Sequence, residues 1–168
     1  MTTINNPEGL QSTDSLKVIA ALEDLKGSGK VSDIPVLIDL LHLSPNTEIK
    51  TKVRSLLGSL KETGSVPVLI AAIQNQKYTS IQKELVACCW ENGLDYSAHL
   101  SLFIDLMLEQ DFLVAFEAYT VITNMTEQID QTKLDIEIDR LEKALTNSSE
   151  QKRPLILDII DFLPSIGF

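Results

Sequence analysis

Apolar side chains recur along this chain at steps of three and four. Val53, Leu56, Leu57 and Leu60 form one such set, and Val114, Ala118, Val121 and Ile122 another. That spacing keeps returning to one face of a 3.6-residue helix. Strict alternation, the mark of a half-buried strand, is missing, and the apolar segments are too long for strands. The pattern predicts nine helices, near residues 14–27, 32–43, 47–61, 65–75, 79–92, 97–109, 111–124, 131–146 and 149–163. Short breaks at Gly27-Ser28-Gly29, Ser44-Pro45-Asn46, Gly64 and Gly93 separate several of them. Residues 1–13 are expected to be a disordered start, and residues 14–168 a single helical domain.

The helices repeat. Ile34-Pro-Val-Leu-Ile-Asp-Leu-Leu41 lies over Val66-Pro-Val-Leu-Ile-Ala-Ala-Ile73 at an offset of 32, with Pro-Val-Leu-Ile identical. Ser32 and Ser65 precede these stretches as expected helix caps. The prolines fall in the first turn, where a missing N–H costs nothing. The same offset carries Ile49 to Ile81, Val53 to Leu85, Leu56 to Cys88 and Leu57 to Cys89. A third copy follows 33 residues on, taking Ile81 to Val114, Cys88 to Val121 and Cys89 to Ile122. Val18, Leu22, Leu25 and Lys26 match the second helix of a pair at an offset of 35, so the chain opens on a half-repeat. Helix pairs stacked at such a period imply an all-α superhelix, or α-solenoid, of about four pairs plus that N-terminal half-repeat.

Val53-Arg-Ser-Leu-Leu-Gly-Ser-Leu-Lys-Glu-Thr-Gly-Ser-Val-Pro-Val-Leu-Ile-Ala-Ala-Ile73 resembles a HEAT repeat of the short bacterial, lyase-like type. The resemblance implies a right-handed superhelix with second helices on its concave side. It also implies an Asp on a first helix and an Arg on a second, bonding between neighbouring repeats. Asp39 and Arg54 fit those positions, while Ala71/Val86 and Asp105/Tyr119 depart from them, marking a divergent member. The outward positions of the second helices would then present Lys50, Arg54, Lys83, Glu117 and Tyr119 as binding residues.

Charge changes the picture along the length. Residues 1–84 hold nine Lys/Arg and nine Asp/Glu, whereas residues 85–168 hold five and fifteen, which accounts for the whole net charge of −10. No lysine or arginine lies between Lys83 and Lys133. Dense phosphate would be repelled by that half, so nucleic acid is not an expected partner. No apolar run reaches the roughly 18 residues of a membrane span, and the first residues lack the basic and apolar regions of a signal peptide. A cytoplasmic location without membrane contact is the expectation.

Both cysteines stand together in Glu84-Leu-Val-Ala-Cys-Cys-Trp-Glu-Asn-Gly93. Adjacent helix residues diverge by about 100°, so Cys88 and Cys89 cannot converge on one metal. No CxxC pair is present, and His42 and His99 have no ligand spacing to the cysteines. The repeat register puts both thiols in leucine positions, as core. Trp90 takes the register of Gly58, either filling a gap between repeats or serving as a binding anchor. Asp105, Glu109, Asp111 and Glu117 are read as an acidic rim, with Asp111 capping the helix it precedes. No phosphate-binding glycine loop, nucleophile elbow or zinc motif occurs.

The expectation is therefore a non-catalytic protein-interaction module or scaffold, without metal or cofactor, that binds a protein partner. Other HEAT-like proteins resemble bilin lyases or are DNA glycosylases. The first kind would make this chain an enzyme accessory using Cys88 or Cys89; the second needs a basic groove. The apolar end, Arg153-Pro-Leu-Ile-Leu-Asp-Ile-Ile-Asp-Phe-Leu-Pro-Ser-Ile-Gly-Phe168, either folds back over the last core layer or joins two copies as a homodimer.

Overall fold

The computed structural model describes residues 7–168, all of whose regular elements are helices. Residues 1–6 of the expected disordered start lie outside the described residues. Order begins before residue 14: α1 (Pro7–Leu10) is a helical turn that buries Leu10 and packs on α2. Contacts group the chain into two compact units, one ending at Leu94 and the other running from Asp95 to Phe168.

The first unit holds α2 (Ser15–Asp24), α3 (Ile34–Leu43), α4 (Thr47–Leu57), α5 (Ser65–Gln74) and α6 (Gln82–Glu91). Helix α3 packs on α4 and α5, α5 on α6, and α4 on both α2 and α6. The register read from the sequence is matched by burial at several positions, though Leu56 and Val66 are only half-buried where their counterparts Cys88 and Ile34 are fully buried. Leu37 and Leu69, Leu41 and Ile73, Val53 and Leu85, and Leu57 and Cys89 are all buried. The helices begin later than the periodicity suggests because 3₁₀ turns, Val31–Asp33 and Gln76–Ile81, lead into α3 and α6.

Capping follows the sequence in part. The Asp14 side chain accepts from Leu16 N, and Asn46 accepts from Glu48 N and Ile49 N. Such caps contribute about 1 kcal/mol each. The two serines expected to cap do not. Ser32 sits within the 3₁₀ turn, where Asp33 Oδ2 accepts from Lys30 N at 2.8 Å. Ser65 is the first helical residue of α5, fully buried with its hydroxyl unpaired, because Gly64 occupies the cap position.

The second unit holds α7 (Leu100–Glu109), α8 (Phe112–Thr123), α9 (Gln131–Ala144) and α10 (Arg153–Phe162). Helix α7 packs on α8 and α9, and α10 on α8 and α9. Phe103, Ile104, Met107, Ala118, Ile122, Leu134 and Ile156 form its core. Asp111 caps α8 as expected, its Oδ1 accepting from Val114 N at 3.0 Å. The tail folds back within this unit. Leu163 and Ile166 are buried, Ile129 N donates to Ile166 O at 2.8 Å, and Phe168 N donates to Ile129 O at 3.2 Å. Phe168 at its end stands exposed, as do Pro164 and Ser165 before it. Among the described residues no helix is long and apolar enough to cross a membrane.

Candidate functional site

In the first unit, Ile49, Val53 and Leu57 anchor α4 in the core. Lys50 and Arg54, one turn apart, consequently fall on the flank of that buried stripe. With Thr47, Thr51, Ser80 and Glu84 they line a groove floored by Leu41 and Ile81. Arg54 Nη2 donates to Glu91 Oε1 at 2.7 Å. The other oxygen of Glu91 lies over Gly58, where a Cβ would come within 2.7 Å of it. Glycine at 58 is what lets the Glu91 carboxylate lie against α4. Lys61 Nζ then donates to Asn92 O at 3.0 Å, so the ends of α4 and α6 are tied twice.

Trp90, next to Glu91 in α6, is 39% exposed. Lys83, in the first turn of α6, is half-buried and does not line the groove that Lys50 and Arg54 share. Sequence reasoning missed Glu91. Its only signal was the departure of position 58 from the larger side chain found one repeat later.

Cys88 and Cys89 are both fully buried. Burial pushes the Cys88 thiol up to about 12, against the opposing pull of the nearby Arg54 charge. Cys89 Sγ donates to Leu85 O at 3.5 Å. A thiol in that state is not the thiolate that attacks carbon or sulfur at neutral pH. Among the described residues no three His, Cys, Asp or Glu side chains converge as metal ligands.

The Asp–Arg bonding implied by the resemblance takes other partners. Asp39 accepts from Lys77 Nζ at 2.6 Å and from Tyr78 OH at 2.7 Å. Those two bonds, Lys77 first, hold its carboxyl below the usual carboxylate range. Arg54 meets Glu91 instead, and Asp105 pairs with Arg140 of α9. The connections run from α3 to the turn after α5, from α4 to α6 and from α7 to α9.

In the second unit Glu117 and Tyr119 do not share a face. At about 100° per residue they flank the exposed stripe of α8 from opposite sides. The stripe itself carries Leu113, 58% exposed, and Phe116, 46% exposed. Phe116 stacks obliquely with Phe112 at 6.1 Å and with Tyr119 at 6.0 Å between ring centroids. Tyr119 OH donates to Asp158 Oδ2 of α10 at 3.1 Å. Burial and then that carboxylate raise the tyrosine's pKa above its ordinary value. Phe116 was legible in principle, since it stands 33 residues after Lys83, a position read as outward. No protein-family model and no curated protein matches the chain.

Proposed function

We propose that the chain is a non-catalytic protein-interaction module built as a HEAT-like solenoid, with the second helices of its pairs offering the binding face. The observation that supports this reading most is the layering inside each unit. First helices pack on first helices, α3 on α5 and α7 on α9, and second on second, α4 on α6 and α8 on α10. Stacking of that kind leaves one long side of every second helix to solvent. On that side stand Trp90 with the Arg54–Glu91 pair in the first unit, and Phe116 with Tyr119 in the second. Tryptophan, tyrosine and arginine are the side chains that most often dominate protein interfaces.

The test is comparative capture from the source cells. Immobilised wild-type protein is expected to retain a defined protein that Arg54→Glu/Trp90→Ala or Phe116→Ser retains poorly, with circular dichroism unchanged. Identical retention by all three proteins, or no retained protein, would sink the reading.

A further inference from the structure

The acidic half of the chain carries an apolar face. On α8 the exposed stripe is Leu113 and Phe116, widened by the half-buried rings of Phe112 and Tyr119. On α10 it is Pro154 and Leu157, the latter 47% exposed. The Tyr119–Asp158 hydrogen bond joins the two stripes side by side. Carboxylates edge them: Asp111 at the start of α8, Asp158 and Asp161 on the exposed side of α10, and Glu117 on the far flank of α8.

Among the described residues neither Asp158 nor Asp161 takes part in an ion pair. The second unit has five Lys/Arg against fourteen Asp/Glu. Arg140 is held by Asp105 and Glu137, Lys143 by Asp139, and Lys152 by the carbonyls of Leu108 and Gln110, where it also faces Asp111. Arg153 is exposed on α10 one turn before Leu157, so it edges that stripe on the side away from Asp158. Lys133 lies on α9.

We propose that this α8–α10 face docks a cationic amphipathic helix of a protein partner. The inference rests on the interaction-module reading and names the partner class for its second unit. Charge selects the occupant. A second copy would set Asp158 and Asp161 against their own counterparts, and like charges across an interface oppose association. Anionic lipid and nucleic acid are repelled in the same way. A helix with apolar side chains at i, i+3/i+4 and i+7 seats them on the aromatic stripe, and lysines or arginines beside them meet the carboxylate edge.

The probe is a fluorescein-labelled helical peptide of about 18 residues, with leucine on one face and lysine on the others. Two controls accompany it: the same peptide with glutamate for lysine, and a scrambled peptide of unchanged composition. Fluorescence anisotropy is expected to show saturable binding of the lysine peptide alone. Phe116→Ser/Leu157→Ser and Asp158→Lys/Asp161→Lys should each weaken it roughly tenfold or more, the size of an interface hot spot. Circular dichroism and the unfolding midpoint confirm that each variant is folded.

Equal binding of the scrambled peptide would reduce the effect to charge and overturn the proposal. Equal binding of the glutamate peptide, no binding at all, or binding unchanged by either double variant would also overturn it. So would a dimer in sedimentation that Leu157→Ser dissociates, because a second copy would then own the face. If Arg54→Glu/Trp90→Ala abolishes capture of the cellular partner while the peptide never binds, the module reading stands and this inference falls.

Discussion

Asp95 holds two turns of the second unit together. Its Oδ1 accepts from Ser97 N at 2.8 Å, and its Oδ2 from Thr126 N at 3.0 Å and Glu127 N at 3.3 Å. Burial works against the charge, but the Ser97 side chain and these amides outweigh it, leaving the carboxyl below its ordinary range. A carboxylate with a depressed folded pKa stabilises the fold fully above its unfolded value, roughly pH 4, and ceases to as pH falls through the folded value. Asp95→Asn should therefore lower stability by about 1–3 kcal/mol at neutral pH. The gap to wild type in urea unfolding should narrow toward pH 3; a gap of constant size would show that the charge is irrelevant. Nothing in the periodicity marks Asp95, since Thr126 reaches it through a loop 31 residues away. The cysteines, by contrast, were legible, because their register sets Cys89 on the buried Leu57 and Cys88 on the half-buried Leu56. Trp90 was half legible. Its register was plain, but its 39% exposure was not, since the matching position is a glycine with no side chain to compare.

At the scale of elements, α7 and α9 are joined by a small polar cluster. Arg140 Nη1 donates to Glu137 Oε2 at 2.9 Å, Arg140 Nη2 pairs with Asp105, and the Ser101 hydroxyl donates to Glu137 Oε1. Glu137 is buried, whereas Asp105 and Arg140 are partly exposed. Losing the cation strands a buried charge, so Arg140→Met should destabilise by about 3 kcal/mol. Asp105→Asn removes only the exposed partner and should cost under about 1 kcal/mol. In Glu137→Leu/Arg140→Met the stranded charge is gone, and most of the lost stability should return. A urea-unfolding cycle over these variants decides the matter: an Arg140→Met effect no larger than that of Asp105→Asn would refute it. Helix identity and order were readable because every predicted helix carries its own apolar stripe. The ends were less so, since 3₁₀ turns precede α3, α6 and α7 and continue the same polarity pattern. Which charge met which was not readable at all. Arg140, Glu91 and Lys77 reach their partners across 35 to 38 residues of sequence, by contacts that only the packing of helices creates.

For the molecule as a whole, the decisive quantity is the distribution of charge. Residues 1–84 are balanced, and residues 85–168 carry the entire excess of acid. Folding concentrates those carboxylates on a small surface, so their mutual repulsion opposes the folded state. Exposed ion pairs such as Lys77–Asp39 and Lys143–Asp139 pull the other way, but each contributes only about 0–1 kcal/mol. Uncompensated repulsion should outweigh them. Raising NaCl from about 0.01 M to about 0.15 M shortens the Debye length from roughly 30 Å to about 8 Å, which screens the acid–acid terms most. The thermal unfolding midpoint should therefore rise across that range. Salt also changes the solvation of apolar surface, so a charge variant must separate the two effects. Asp161→Lys, at an exposed position that no named ion pair or hydrogen bond uses, should raise the midpoint at low salt and lose that advantage at high salt. A benefit equal at both salt concentrations would mean that local packing, not long-range repulsion, produced it. A midpoint that falls as salt is added would mean that the ion pairs outweigh the repulsion after all.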